Sequence, residues 1–253
     1  MNDLKKIDVV IIATIRPDIL KITLNSFKNK LLNKFDVRVI VNVDPIGESG
    51  YTQNDIVEIC REYFPNIVSR VPTIPSFSAA VQWCWSQVDT DYFFHLEDDW
   101  CLKSQVSVSK MIALLSINDV VSVRLNVTRN SKFTNNGSYA YSNGLSLNPS
   151  MMKSAYIKEL LQKFDINKDP EKQFSGNEKT NNFICPLFLF YGNLNDKPIV
   201  IDTGTKWREN IGFSKWNKTG KILWNVKNKN KNSPYLKIKY KFFIIYWRFF
   251  YCN

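Results

Sequence analysis

Three adjacent carboxylates, Glu97, Asp98 and Asp99, follow an apolar and aromatic run at residues 92–96. A β-strand accounts for the run, but strand formation does not require three negative charges at its end. Adjacent like charges repel one another, so the group needs a nearby cation or contact with water. Mg²⁺ and Mn²⁺ bind carboxylate oxygens and commonly share their other positions with substrate phosphates. The pattern predicts a divalent-metal site for phosphate chemistry; a hydrated acidic turn is the alternative.

The residues before this acidic group predict alternating strands and helices. Residues 7–13, 37–43, 67–71 and 92–96 are apolar runs typical of strands buried on both faces of a parallel sheet. Apolar residues recur at helical spacing between them, and the first helix is expected directly after Pro17. The β-α-β-α-β-α-β order predicts an α/β fold, with a Rossmann-like, mostly parallel sheet flanked by helices.

The later part of the chain gives weaker signals. Helices are expected over residues 108–115 and 156–164, and a strand over residues 120–127. Residues 128–144, rich in Asn, Ser and Tyr, are expected to form a loop over the site. Residues 225–232, rich in Asn and Lys, are expected to form a linker.

Polar residues follow the ends of three of the predicted strands. Thr14 and Arg16 follow the first strand, Asp44 follows the second, and the acidic group follows the fourth. Ligands of open α/β sheets bind outside the carboxyl ends of the strands. Three separate segments therefore deliver polar groups to one predicted crevice.

Composition favours a globular intracellular protein. The chain has 253 residues, of which 44% are hydrophobic, enough for one substantial domain with a core. Its five Cys include no CxxC pair, which favours reduced thiols over a disulfide framework or a zinc ribbon. The single His, His95, excludes a His-rich metal site. The first residues lack a signal-peptide pattern, so a cytoplasmic location is expected.

The net charge of +11 is concentrated near the C-terminus. Residues 210–253 contain no Asp or Glu, and their Lys and Arg residues account for almost the whole excess. The aromatic run at residues 242–252 is too short to span a bilayer, which takes about 20 apolar residues. Aromatic residues beside clustered Lys favour an anionic membrane surface. The tail, residues 225–253, is predicted to hold the protein peripherally on the inner face of the cytoplasmic membrane; packing on the domain is the alternative.

Three segments resemble the A-type nucleotide-sugar glycosyltransferases, most closely the family-2-like bacterial enzymes. Residues 8–17 resemble their first strand and helix, and residues 76–83 resemble the segment before their metal-binding strand. Glu97-Asp98-Asp99 resembles their acidic DxD motif. The resemblance is good over residues 1–130 and thin beyond them.

The resemblance implies the GT-A fold over residues 1–224. Residues 1–130 would form the nucleotide-sugar-binding half and residues 131–224 the acceptor-binding half. It implies a metal-dependent glycosyltransferase that moves a sugar, with inversion, from a nucleoside-diphosphate sugar such as a UDP-sugar. The acceptor would be a glycan or a lipid-linked saccharide in bacterial surface polysaccharide or lipooligosaccharide synthesis.

The resemblance also implies a metal site for Mn²⁺ or Mg²⁺. Asp99 would bind the metal directly, Asp98 would face the ribose or share the metal, and Glu97 would support them. Many A-type enzymes add a late His ligand, but this chain has no His after His95. Asp202 or water would take that place.

The donor nucleotide would be bound by the residues that follow the strands. Asp44 matches the position that contacts the nucleobase or ribose, although a turn residue before Pro45 is the alternative. Lys206 or Arg208 would neutralise the departing diphosphate. The expected nucleotide-sugar-binding residues are Thr14, Arg16, Asp44, Ser78, Asp98, Lys206 and Arg208.

An inverting transfer needs a carboxylate that takes the proton of the acceptor hydroxyl. Glu171 is the first candidate, because Asp169-Pro170 resembles a helix start that would turn the next side chain toward the crevice. Glu178 is the second candidate. For either residue, a solvated Glu at a helix start is the alternative.

Two other functions compete with glycosyl transfer. A nucleotidyltransferase of related α/β fold would also use metal-bound carboxylates, but it usually has a Gly-rich loop after the first strand. Here that position reads Thr14-Ile15-Arg16-Pro17. A basic nucleic-acid-binding protein would explain the tail. It would not explain the acidic group, which repels phosphates without a metal, so no nucleic-acid partner is expected.

Overall fold

The computed structural model describes residues 5–125, 134–135, 140–142, 144–174, 178–192, 197–211, 213–218, 221–226 and 234–251. The strands are β1 (Lys5–Ile15), β2 (Phe35–Gly47), β3 (Asn66–Arg70), β4 (Tyr92–Glu97), β5 (Trp100–Leu102), β6 (Val120–Leu125), β7 (Thr134–Asn135), β8 (Ala140–Ser142), β9 (Ser150–Lys153), β10 (Leu187–Tyr191), β11 (Val200–Asp202), β12 (Phe213–Lys218) and β13 (Lys221–Val226). The α-helices are α1 (Pro17–Lys30), α2 (Gln53–Tyr63), α3 (Phe77–Ser86), α4 (Val108–Leu115), α5 (Ser154–Leu161), α6 (Gly204–Ile211) and α7 (Pro234–Tyr251).

The first half of the large sheet is parallel. Its strands lie in the order β3-β2-β1-β4, with β1 between its two parallel neighbours. Every residue of β1 from Ile7 to Ala13 is buried, as its apolar run predicts. The one charge in that run, Asp8, is paired with Arg38 on β2 at 2.7 Å. The α/β architecture expected from the sequence is confirmed.

The second half of the sheet is mixed. β9 lies antiparallel between β4 and β6, and β10, β8 and β7 complete the order β3-β2-β1-β4-β9-β6-β10-β8-β7. Of these nine strands, β8 and β9 run against the others, so the sheet is mostly parallel. The sequence analysis missed β9, because four residues are too few to show a period. β9 brings Ser150 level with the end of β4.

Helices cover both faces of the sheet. Side chains alternate along β1, so Val9 and Ile11 pack with α1, α2 and α4, whereas Val10 and Ile12 pack with α3 and α5. The parallel strands β1, β2 and β4 all end at one edge of the sheet. That edge carries the polar residues that the sequence places after the strands.

Local sequence explains where the helices begin. Pro17 occupies the first turn of α1, where its missing N–H costs no hydrogen bond. Thr52 and Asp55 form a capping box at the start of α2. Ser76 caps α3, and its hydroxyl accepts a hydrogen bond from the backbone N–H of Ala79.

Two expectations for loops need correction. Residues 128–144 contain β7 and β8, which extend the sheet at its far edge, so this stretch is not a plain loop. The linker expected at residues 225–232 begins too early, because residues 225 and 226 end β13 in a hairpin with β12. Residues 126–133, 136–139, 143 and 227–232 lie outside the described residues.

The basic tail contains α7. Tyr240, Phe243 and Ile244 pack against Ile19, Ile22 and Trp207, so one face of α7 is docked on the domain. Among the helices described, α7 included, none has the length and apolar content needed to cross a membrane.

Candidate donor site at the acid corner

The residues that follow β1 and β4 meet through one buried ion cluster. Arg16 donates from Nε to Asp98 Oδ2 at 3.1 Å, and its Nη2 donates to Asp98 Oδ1. Its third nitrogen, Nη1, donates to Asp99 Oδ2 at 2.9 Å. The backbone N–H of Thr14 donates to Asp98 Oδ2 at 2.8 Å. We call Arg16, Asp98 and Asp99 the acid corner.

The acid corner is almost completely removed from water. Arg16 is 3% exposed, Asp98 1% and Asp99 3%. Burial acts to lower the pKa of Arg16, but the charges of Asp98 and Asp99 outweigh it and raise that pKa above its ordinary value. The guanidinium therefore stays charged and binds both carboxylates in the forked geometry that suits arginine.

Backbone hydrogen bonds hold the turn that carries the two carboxylates. Asp98 donates its N–H to Ile12 O at 3.2 Å, and its carbonyl accepts from Thr23 Oγ1 at 2.7 Å. The carbonyl of Asp99 accepts from the N–H and the hydroxyl of Thr203, each at 2.8 Å. Strand β1, helix α1 and the start of α6 thus fix the turn from three sides.

Helix α6 lies directly against Asp99. A Cβ on Gly204 would come within 1.9 Å of Asp99 Oδ2, so only glycine fits at this position. Arg208, one turn further along α6, places Nη1 3.8 Å from the same oxygen. Trp207 is fully buried, and Arg16 lies 5.1 Å from the centroid of its ring. Trp207 therefore belongs to the core of the domain.

Asp44 occupies the end of the neighbouring strand. Its Oδ1 accepts from Asn42 Nδ2 at 2.9 Å, and its Oδ2 accepts from the N–H of Ser76 at 3.1 Å. Burial raises the pKa of Asp44, although both hydrogen bonds act in the opposite direction. Because Asp44 lies within β2 and not in a turn, the turn alternative is wrong.

Glu171 is held by the segment before β9. Its Oε1 accepts from Ser146 Oγ at 3.1 Å and from the N–H of Leu147 at 2.7 Å. Asp169 Oδ1 accepts from the N–H of Glu171 and of Lys172, both at 3.0 Å, and a short 3₁₀ helix, Lys172–Phe174, follows. The helix start expected at this point is therefore present.

Ser78 connects the Glu171 segment to the strand ends. Its hydroxyl donates to the carbonyl of Lys168 at 2.5 Å. Ser78 belongs to the first turn of α3, two residues after Ser76, whose N–H binds Asp44. The start of α3 thus contacts both the Asp44 carboxylate and the segment that carries Glu171.

Glu178 has a different environment. Its carboxylate forms an exposed ion pair with Lys163 Nζ at 3.1 Å, and its carbonyl accepts from Tyr156 Oη at 2.9 Å. These contacts place it beside α5. Of the two carboxylates expected to act as the base, Glu171 has the contacts that link it to the strand ends.

Asp202 ends β11 just before α6, and Lys206 lies in the first turn of α6. Asp202 accepts from the N–H of Thr205 at 3.1 Å and from its hydroxyl at 2.9 Å, and it lies 4.0 Å from Arg208 Nη2. Lys206 Nζ lies 5.8 Å from the Phe243 ring centroid on α7. Arg208 is thus the α6 cation that reaches the acid corner.

Comparison with known proteins reveals similarity in structure. No protein-family model matches the chain, and no curated protein matches it in sequence. The structure is similar to GalNAc-T7 with UDP, GalNAc and Mn²⁺, with a TM-score of 0.57 and 10% identity over 79% of this chain and 43% of that chain. The fold is GT-A.

Two further structures resemble it less closely. TarS residues 1–349 from S. aureus gives a TM-score of 0.46 and 12% identity over 79% of this chain and 61% of that chain. The mannosyltransferase PcManGT from Pyrobaculum calidifontis, in complex with GDP-Man and Mn²⁺, gives a TM-score of 0.45 and 10% identity over 72% of this chain and 56% of that chain. The chain spans less than two thirds of the length of all three proteins. The predicted GT-A fold is confirmed.

The residues of this GT-A chain fit a divalent metal that is shared with a substrate. No group of three or more His, Cys, Asp or Glu side chains is arranged to hold a metal within the residues described. Both oxygens of Asp98 are already bound by Arg16. A divalent cation can instead be held by one carboxylate together with substrate phosphates and water. Asp99 is the better candidate for that arrangement, because Arg16 binds one of its oxygens, Oδ2, whereas Arg16 binds both oxygens of Asp98.

Several residues that build the site gave no signal in the sequence. Thr23, Thr203 and Gly204 fix the Asp99 turn from distant segments, and their spacing matches no motif. Glu48 is also new: it accepts from Trp207 Nε1 at 2.7 Å and from Tyr240 Oη at 3.3 Å. The one indication in the sequence is that Thr203 and Gly204 directly follow Asp202, which was a candidate metal ligand.

Proposed function

We propose that the protein is a metal-dependent glycosyltransferase. It moves a sugar from a nucleoside-diphosphate sugar, most simply a UDP-sugar, to a glycan or lipid-linked saccharide. The observation that carries the proposal is the acid corner: a buried arginine fork holds two carboxylates at the carboxyl end of a central GT-A strand. Through a divalent metal, such fixed carboxylates would hold a diphosphate, whose negative charge grows as the sugar leaves.

The donor is bound between β1, β2 and β4. Asp44, held on both oxygens, contacts the nucleobase or ribose, while Thr14 and Ser78 line the pocket. Asp99 would hold Mn²⁺ or Mg²⁺ together with the diphosphate, and Arg208, whose Nη1 lies 3.8 Å from Asp99 Oδ2, would pair with the diphosphate. When bound, the metal stabilises the negative charge of the leaving diphosphate. GalNAc-T7, which has the same fold, is seen with UDP and Mn²⁺.

Glu171 is the base of an inverting transfer. Two hydrogen bonds hold Oε1 in place, and because the carboxylate is planar they also restrict the position of Oε2. Oε2 takes the proton of the acceptor hydroxyl while that oxygen bonds to the anomeric carbon. The bond between that carbon and the diphosphate oxygen breaks, and the diphosphate leaves with the electron pair. The anchored oxygen supports Glu171 over Glu178, whose carboxylate is paired with Lys163.

Calorimetry with UDP, in the presence and absence of Mn²⁺, tests the donor site. We expect UDP binding that requires Mn²⁺ and is lost in Asp99→Asn. A nucleotidyltransferase would instead take a nucleoside triphosphate with a sugar phosphate and release pyrophosphate. Tight binding of RNA that weakens with salt would favour the nucleic-acid alternative. Absence of any metal-assisted binding of UDP or GDP would contradict the proposal.

Helix α7 is proposed to associate with the membrane. Ile238, Phe242, Ile245 and Tyr246 are exposed along its outer face, at a spacing that places them on one side of the helix. Lys239 and Lys241 are exposed beside them. An apolar stripe flanked by lysines suits the headgroup boundary of an anionic membrane. A peripheral position on the inner membrane face would bring the site to a lipid-linked acceptor.

Paired substitutions on the outer face test the membrane proposal. Phe242→Ser with Ile245→Ser removes exposed apolar surface and leaves Tyr240 and Ile244 packed on the domain. We expect this variant to leave the membrane fraction, as deletion of residues 237–253 would. Ile74→Ser, at a residue that is 75% exposed elsewhere, is the control. An unchanged distribution of the paired variant would remove the membrane role.

A further inference from the structure

A row of polar side chains crosses the α3 and α5 face of the sheet just below the acid corner. His95 on β4 is paired in register with Ser150 on β9, and Ser150 is paired with Arg124 on β6. Residues that face each other across paired strands lie on the same side of the sheet. Arg124 is in turn paired with Phe190 on β10. We call His95, Ser150 and Arg124 the polar row.

His95 and Ser150 each have a hydrogen-bonding group without a partner among the described residues. His95 and Ser150 are fully buried, and within the described residues His95 Nε2 and Ser150 Oγ have no hydrogen-bond partner. Trp85 Nε1 donates to His95 Nδ1 at 3.2 Å, so the proton of the neutral imidazole is on Nε2. Burial lowers the pKa of His95 to about 3, which keeps the ring neutral. His95 therefore carries an N–H donor on the same side of the sheet as Ser150.

Arg124 adds a cation that donates no hydrogen bond to any of the described residues. In the part of the chain described, its guanidinium lies 4.2 Å from the Phe190 ring centroid and interacts electrostatically with Glu171. Neither contact is an ion pair at hydrogen-bonding distance. Burial lowers the pKa of Arg124 to about 10, so the group is still charged at neutral pH. The sequence of residues 126–139, which follows Arg124, contains no Asp or Glu.

The chemistry of the row matches a carboxylate better than a hydroxyl. A sugar hydroxyl both donates and accepts hydrogen bonds, whereas a carboxylate only accepts. The row offers an imidazole N–H, a hydroxyl and a guanidinium, and the guanidinium fork matches two carboxylate oxygens. Arg124 is half-buried and has no carboxylate at ion-pair distance among the described residues, which is costly, and an anionic ligand would remove that cost.

The position of the row indicates which substrate carries this group. Neighbouring strands are about 4.8 Å apart, so Arg124 lies two strands, about 10 Å, from β4 and the acid corner. Glu171 is held at the other end of the row instead: its carboxylate accepts from the N–H of Leu147, three residues before Ser150, and it interacts electrostatically with Arg124. The donor diphosphate belongs to the acid corner, and the acceptor belongs to Glu171.

We propose that Arg124, with Ser150 and His95 beside it, forms a subsite for a carboxylate on the acceptor saccharide, such as that of a uronic acid. This proposal rests on the assignment of Glu171 as the base. It predicts that the protein prefers acidic acceptors to neutral ones of the same shape. A carboxylate on the donor sugar could occupy the same subsite, and the experiment distinguishes a donor carboxylate from an acceptor carboxylate.

Saturation-transfer NMR on the full chain with UDP and Mg²⁺ tests the subsite. The probes are methyl β-D-glucuronide and methyl β-D-glucoside, which differ only in a carboxylate in place of a hydroxymethyl group. We expect the glucuronide to bind about tenfold more tightly, the scale of one hydrogen bond to a charged group. Arg124→Gln should abolish this preference and leave UDP affinity unchanged, whereas Arg124→Lys should keep part of it. Arg61→Gln, at an exposed residue of α2, is the control.

The possible outcomes separate this proposal from the proposed function. Equal binding of the two glycosides, or a preference that Arg124→Gln leaves intact, would overturn the subsite. An Arg124-dependent preference seen only between UDP-glucuronate and UDP-glucose would overturn its assignment to the acceptor. If UDP fails to bind wild-type protein while the glucuronide preference depends on Arg124, the subsite stands and the donor assignment falls. Arg124→Lys keeps the positive charge at this position and decides the question if Arg124→Gln does not fold.

Discussion

The acid corner and the Glu171 segment are built in different ways. Atoms from distant parts of the chain hold the acid corner: Thr14 and Asp98, for example, are 84 residues apart, and Thr203 and Asp99 are 104 apart. Glu171 is held locally, by Ser146 and Leu147 at separations of 25 and 24 residues and by Asp169 two residues before it. The acid corner, the proposed donor end, therefore depends on the whole fold, whereas the Glu171 segment, the proposed acceptor end, depends on local contacts.

This difference matches the chemistry proposed for each end. Charge that develops on a leaving diphosphate is best stabilised by groups that are already fixed, because they need not reorganise during the reaction. Acceptors vary between enzymes that share a donor, and a segment held by local contacts can change without disturbing the sheet. Substitutions at the two ends should therefore differ in whether they affect stability or only turnover.

The largest effect is expected for Arg16→Met. Removing the guanidinium leaves Asp98 and Asp99 buried without their counter-charge, which costs about 3–5 kcal/mol of unfolding free energy. UDP binding should be lost with it. Urea denaturation measures the first effect and calorimetry the second. Arg61→Met breaks an exposed pair with Glu58 and should cost less than about 1 kcal/mol. Equal stability of the two variants would mean that the acid corner does not hold the fold together.

Glu171→Gln should show the opposite behaviour. Glutamine keeps an oxygen for Ser146 and Leu147 but cannot take a proton, so turnover should fall by about 10²–10⁴-fold. UDP affinity and the urea midpoint should stay near wild type. Turnover in a UDP-release assay, compared with that of Glu178→Gln, measures the effect. If the Glu178 variant is the inactive one, the base is Glu178.

The positions of the residues at the strand ends could be predicted from the sequence better than the surroundings of Glu171. The strands β1, β2 and β4 are long buried apolar runs, so their ends, and with them Arg16, Asp44 and Asp98, could be placed in advance. Parallel pairing then brings those ends together whatever the loops do. The α/β order and the capping box at Thr52 were equally visible.

The rest depends on contacts that sequence does not encode locally. β9 has four residues, yet it brings Ser150 between His95 and Arg124 and so creates the polar row. Nothing near Gly204 indicates that its missing side chain makes room for Asp99. Arg16 was placed in the nucleotide pocket from its position after β1, but its pairing with both carboxylates follows only from the folded geometry.

Gly204→Ala tests how tightly the acid corner is packed. The new Cβ would meet Asp99 Oδ2 at 1.9 Å, so either Asp99 or α6 must move, at a cost of about 1–3 kcal/mol. Metal-dependent UDP binding should weaken, because Asp99 is the proposed metal ligand. Gly50→Ala separates backbone strain from crowding. An alanine at φ +93° is strained, but its Cβ would meet no atom within 4 Å. It should lower stability but leave the metal dependence unchanged. The same loss of metal dependence in both variants would argue against a steric cause.

The smallest effect is expected for Glu48→Gln. Glu48 links Trp207, beside the acid corner, to Tyr240 on α7. Burial raises the pKa of Glu48, although hydrogen bonds from Trp207 and Tyr240 act against it. A carboxyl with a raised pKa favours the folded state when protonated, so its contribution is present below its ordinary pKa and is lost as the pH rises. Glutamine keeps an acceptor oxygen and does not titrate. The difference in unfolding free energy between the variant and wild type should therefore move in favour of the variant from pH 4 to pH 7. Melting curves across that range measure it, with Glu58→Gln, at an exposed residue of α2, as the control; a difference that stays constant with pH would show that Glu48 is ionised equally in the folded and unfolded chain.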